Sequence, residues 1–89
     1  MPKVIVPPPY QGPTLGQAEV DVSAQTVRGA MLAVDSRFPG FAAQIFDGAG
    51  AMHRFVKLFR NGEQVDPGDV DQALADDDTV EVVAAIAGG

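Results

Sequence analysis

The sequence predicts a two-layer α+β domain, a mixed sheet of about four to five strands packed on one main helix. Three observations point there. Val27, Met31, Val34 and Phe38 fall at helical spacing and form one apolar stripe, with Ala30 beside it. Short β-branched or alternating segments lie before and after that stripe. The chain has 89 residues, enough for one core but not two. One helix with one stripe is buried most economically against one sheet.

Lys3 to Pro7 reads as a short opening strand. Pro7, Pro8 and Pro9 end it, because proline has no N–H to give to a ladder. Pro8 to Gly16 reads as a long connecting loop. Ala18-Glu19-Val20-Asp21-Val22 alternates apolar and acidic, the pattern of a half-buried strand. Ser23 or Thr26 then caps the helix that opens near Val27. Gly29, in its first turn, costs roughly 1 kcal/mol against Ala. Pro39-Gly40 closes it. Phe41 to Phe46 reads as one further turn, and Asp47-Gly48-Ala49-Gly50 as a flexible stretch.

His53 to Arg60, rich in Phe, Val and Leu, is the strongest strand. Asn61-Gly62 turns the chain into a short return strand, Glu63 to Val65. Asp66-Pro67-Gly68 is a turn, and Val70 to Ala75 a short helical turn. Asp76-Asp77-Asp78 reads as a solvated acidic turn, and Thr79 to Ala84 as the last strand. The first and last strands are apolar enough to pair at the sheet's centre. By alternation Val56, Leu58, Val80 and Val82 face the helix. Phe59 and Val83 are then expected as exposed apolar residues on the outer face, a partner-binding patch that leads to Ile86.

Composition excludes several functions. Six Lys and Arg against twelve Asp and Glu give a formal charge of -6. A nucleic-acid or anionic-membrane binder needs the opposite balance. No Cys means no disulfide, thiolate metal site or Cys nucleophile. The only His is His53 and the only serines are Ser23 and Ser36, too few groups to converge as a triad. The chain is expected to be no enzyme. Asp76, Asp77 and Asp78 lack the alternate spacing of a calcium loop, so no metal site is expected. Pro7-Pro8-Pro9-Tyr10 matches the motif read by aromatic WW grooves, but a stiff loop is the preferred reading. With no apolar N-terminal stretch and no window near the ~20 residues of a membrane span, a cytoplasmic protein is expected.

The sequence is divided accordingly into a domain over residues 1–84 and a flexible tail over 85–89. That tail ends Ala87-Gly88-Gly89 directly after the final strand. Glycine has no Cβ, so such a stalk can thread a narrow channel in a partner. A carboxylate at Gly89 is ionised at neutral pH and can attack the α-phosphate of ATP. The resulting acyl-adenylate is open to a sulfur nucleophile.

Thr26-Val27 at the helix start, Phe55 to Gly62 (FVKLFRNG), Ala75 to Val82 (ADDDTVEV) and the Ala87-Gly88-Gly89 ending together resemble the ubiquitin-like sulfur carriers of the MoaD/ThiS group. The stretch Asp47 to Met52 leading into His53-Arg54-Phe55-Val56, and the ending Val82 to Gly89, resemble the CysO-type branch most. The resemblance implies a β-grasp fold and a carrier that itself holds no ATP, metal or pyridoxal phosphate. It also implies an E1-like activating enzyme of the MoeB/ThiF type, which adenylates Gly89 before sulfur replaces oxygen to give a thiocarboxylate. The acceptor in the CysO branch is a pyridoxal-phosphate (PLP) dependent sulfhydrylase, and a JAB-type metalloprotease then frees the cysteine. In the MoaD branch the chain is the small subunit of molybdopterin synthase. Two other classes stay open from the residues: a ubiquitin-like modifier conjugated to lysines, and a β-grasp interaction module with an inert tail. The proline-rich loop Pro7 to Gly16 departs from the family pattern.

Overall fold

The computed structural model describes residues 1–84. The expected tail, residues 85–89, with Ile86, Ala87, Gly88 and Gly89, lies outside the described residues. Five strands form one sheet: β1 (Lys3–Ile5), β2 (Glu19–Asp21), β3 (Val56–Arg60), β4 (Glu63–Val65) and β5 (Thr79–Ala84), in the order β2-β1-β5-β3-β4. The first and last strands do pair at the centre, parallel, with Val4 beside Val80. All other pairings are antiparallel. Helix α1 (Val27–Arg37) covers one face and a short α2 (Phe41–Ile45) follows it. This is the expected β-grasp arrangement.

α1 begins where it does because Thr26 is extended and its Oγ1 accepts a hydrogen bond from the Gly29 N–H at 2.9 Å. Thr26, not Ser23, is the cap. The buried stripe is Val27, Ala30, Met31 and Val34, and Phe38 packs partly buried at the helix end. Gly40, at φ 104, makes the left-handed turn into α2. Asp35 Oδ1 accepts from the N–H groups of Gly40 and Ala42, both at 3.0 Å, and so satisfies the first turn of α2.

The sheet supplies Val4, Val20, Val56, Leu58, Val65, Val80 and Val82 to the core, and α1 and α2 supply Met31, Phe41 and Ile45. At about 25 cal/mol per Å² of apolar area, these side chains dominate the stability of so small a domain.

Four local expectations need correction. Residues 47–50 are a structured turn: Asp47 Oδ1 accepts from the N–H groups of Ala49 (2.8 Å) and Ala51 (3.1 Å). The strand expected from His53 starts at Val56, because the His53 N–H is used by the Ile45 carbonyl. No helical turn forms over 70–75. The backbone there is held to α1 instead, with Val27 N–H on Gln72 O and Arg28 N–H on Val70 O. Asp78 is buried at 9% exposure and is not part of a solvated turn.

Candidate functional site

β5 runs up the middle of the sheet and its last residue, Ala84, pairs with Val56 of β3. β5 is thus a central strand, paired with β1 as far as Glu81 and with β3 through Ala84. Because β1 is parallel to β5, the end of β1 lies at this same edge, and because β3 is antiparallel, its beginning does too. β5 thus finishes at the end of the sheet that carries the β1–β2 loop and the entry to β3.

The outer face of the sheet carries the residues expected to meet a partner. Val56 and Leu58 are buried, while Lys57 and Phe59 alternate away from the core. In β5, Val80 and Val82 are buried, Glu81 is exposed, and Val83 is half-buried. Phe59 and Val83 are therefore on the expected face, but half-buried and not exposed. The register explains this. Phe59 stands between Gln64 and Glu81, and Val83 stands beside Lys57, so cross-strand neighbours cover part of each. Ile5 of β1 sits on the far side of Glu81 in the same row and is also half-buried. The face reads as three apolar side chains among Lys3, Lys57 and Glu81. Ile5 escapes sequence reading because a three-residue strand has too few positions to show a face.

Polar chemistry on the domain is structural. Asp78 accepts from Asn61 Nδ2 and Ala75 N–H, both at 2.8 Å, and Arg60 Nε stands 3.8 Å away. The Ala75 N–H first, then the Asn61 amide and the Arg60 charge, hold its carboxyl below the ordinary value. Asp47 is held low in the same way by the Ala51 and Ala49 N–H groups. His53 Nε2 lies 3.0 Å from the Ala43 carbonyl, a local contact at the approach to β3. Arg28 ties three segments together: Nε to Asp71 at 2.8 Å, Nη1 to the Gly50 carbonyl at 2.7 Å, and its guanidinium over the Phe46 ring. Tyr10 is half-buried against the core, and burial raises its pKa. A WW groove would need that ring free. Among the described residues no three His, Asp or Glu side chains gather as a metal site, and no helix is long and apolar enough to cross a membrane.

The five-stranded mixed sheet packed on α1 is the ubiquitin-like β-grasp fold. The chain belongs to the ThiS family, which it matches over residues 9–89. It is 32% identical to the sulfur carrier protein CysO of Mycobacterium tuberculosis, over 97% of this chain and 96% of that protein. The CysO in the Amycolatopsis orientalis BexX/CysO complex superposes with a TM-score of 0.90 at 29% identity, covering 100% of both chains. The crystal structure of Mycobacterium tuberculosis CysO gives 0.88 at 28% identity, covering 97% of this chain and 100% of that one.

Proposed function

We infer that the protein is a sulfur carrier of the CysO kind, serving cysteine biosynthesis. The observation that carries this is identity to a sulfur carrier over nearly the whole of both chains. The Ala87-Gly88-Gly89 ending that follows the central strand β5 in sequence supports it, since glycine has no Cβ to obstruct a narrow channel.

The chemistry proposed for Gly89 balances in two steps. An E1-like enzyme binds ATP, and the Gly89 carboxylate attacks the α-phosphorus. A carbon-bound oxygen–phosphorus bond forms and pyrophosphate leaves. A sulfide-level nucleophile then attacks the carbonyl carbon, AMP leaves, and the terminus is a thiocarboxylate. On a PLP-dependent sulfhydrylase the thiocarboxylate sulfur would displace the leaving group on the β-carbon of an activated serine, leaving the new cysteine joined to the Gly89 acyl group, and a metalloprotease of the JAB type would hydrolyse that bond to free the cysteine and restore the carboxylate. The protein is the substrate and courier in these steps while other proteins hold ATP, metal and PLP, and the cytoplasm is where they would act. A structure of a related carrier with BexX supports a protein partner that receives the carrier. Phe59, Val83 and Ile86 are proposed to meet such partners, with Ala87 and Gly88 as the stalk.

The test incubates wild type, Gly88→Val and a form extended beyond Gly89 with a matching activating enzyme, ATP and sulfide. Mass spectrometry is expected to find oxygen replaced by sulfur at the terminus in wild type only. The fold is expected to melt at the same temperature in all three, because neither change touches residues 1–84. Sulfur on the untrimmed extended form overturns the reading. Amide-linked conjugates in cells, with no thiocarboxylate on the free protein, would assign it to the protein modifiers instead.

A further inference from the structure

Two large apolar side chains stand in solvent at the end of the sheet where β5 finishes. Leu15, in the β1–β2 loop, is 87% exposed, and Phe55, immediately before β3, is 47% exposed. Only Met1 and Leu32 among the other large apolar side chains of the described residues are comparably open. The two lie on opposite sides of β5, one after its parallel neighbour and one before its antiparallel neighbour.

Leu15 is held out by a built loop. Thr14 is buried, and its Oγ1 bonds the carbonyls of Gln11 (3.3 Å) and Gln17 (3.0 Å). Gln11 Nε2 donates to the Val6 carbonyl at 2.8 Å, which ties the loop to the end of β1. Leu15 itself has φ 56, a left-handed conformation that Gly or Asn adopts readily and a bulky residue does not. Both its backbone and its exposure thus disfavour leucine on folding grounds. Phe55 is at a turn, with the Arg54 guanidinium 5.3 Å over its ring, so one of its faces is charged and pre-arranged.

We propose that Leu15 and Phe55 are paired anchors for the enzyme that adenylates the tail, seated in apolar pockets on either side of its tail channel. The proposal rests on the sulfur-carrier reading. Five residues lie beyond Ala84, and they span at most about 18 Å when fully extended. An active site that receives Gly89 therefore brings its surface against this end of the sheet, where the two side chains stand. A few buried aromatic and aliphatic anchors dominate interfaces of this kind.

The experiment measures pyrophosphate release by a matching activating enzyme with wild type, Leu15→Asn, Phe55→Gln and the double variant as the varied substrate. Each single change is expected to raise KM about 10-fold and the double change more, with kcat kept, as for loss of an interface anchor. Melting temperature is expected to hold or rise in Leu15→Asn, because Asn accepts the left-handed backbone. Wild-type release with unchanged KM in both variants overturns the anchors and leaves the carrier reading standing. No release from wild type overturns the carrier reading itself, and the anchors with it. A change seen only at delivery to the sulfur acceptor, or a wild-type dimer lost in the double variant, assigns the surface to another occupant and overturns the proposal.

Discussion

Asn61 donates through Nδ2 to Asp78 Oδ1 at 2.8 Å, across 17 positions of sequence, and its own Oδ1 accepts from the Thr79 N–H at 2.9 Å. Asn61 also holds the left-handed φ of 51 that the β3–β4 turn requires, followed by Gly62 at 86. One side chain therefore locks the turn to the start of the central strand. Asn61→Gly keeps the backbone geometry and removes both bonds. We expect it to cost about 1–2 kcal/mol, read by urea unfolding, where an interchangeable turn residue would cost nothing.

Acid is expected to loosen the domain through Asp78 and Asp47. Both carboxyls are held below 3.8 in the folded protein by backbone N–H donors. A depressed folded pKa contributes stability that is fully present above the unfolded value, about 3.9, and is lost as pH falls through the folded one. Melting temperature is expected to be insensitive to these two groups from pH 7 to about pH 5 and to fall below about pH 4. Asp78→Asn is expected to make the acid limb shallower. An unchanged limb in that variant counts against the assignment.

Gly29→Ala is expected not to stabilise α1. Helix propensity alone credits the change with roughly 1 kcal/mol. An added Cβ would stand 2.9 Å from Thr26 Oγ1, the atom that caps the helix. The cap has to give way, and its loss is worth about 1 kcal/mol in the other direction. Thermal unfolding that shows a clear gain in Gly29→Ala contradicts this geometry.

Association with the activating enzyme is expected to slow as salt is raised. Every Lys and Arg lies at or before Arg60, and eight acids follow it. Seven of those are exposed and only Asp78 is buried, so the half that bears the tail presents an acidic surface. A basic rim on the partner would then be found by long-range attraction, which ionic strength screens. Stopped-flow association rates that stay constant between low and high salt would leave these acids a role in solubility alone.

Much of the domain was legible because its signals are local. The stripe from Val27 to Val34, the alternation that buries Val56, Leu58, Val80 and Val82, and the Asn61-Gly62 turn each follow from side-chain period or backbone preference within a few residues. The Gly-Gly ending is likewise a property of the chain itself, and the family resemblance rests on such short stretches.

Tertiary structure decided what depends on partners far apart in sequence. Residues 70–75 gave up a helical turn because their carbonyls are taken by the N–H groups of Val27 and Arg28. Asp78 became a buried acceptor because Asn61 and Ala75 bring donors to it, a convergence that three adjacent aspartates do not announce. Phe59 and Val83 are half-covered because register sets Glu81, Gln64 and Lys57 beside them. The parallel pairing of β1 with β5 brings Leu15, and the antiparallel pairing of β3 with β5 brings Phe55, to the end of the sheet at which β5 finishes. Period and propensity act over a few residues and are written in the sequence. Which distant groups satisfy a buried carboxylate, and which exposed side chains share an edge, is set only when the strands are ordered β2-β1-β5-β3-β4.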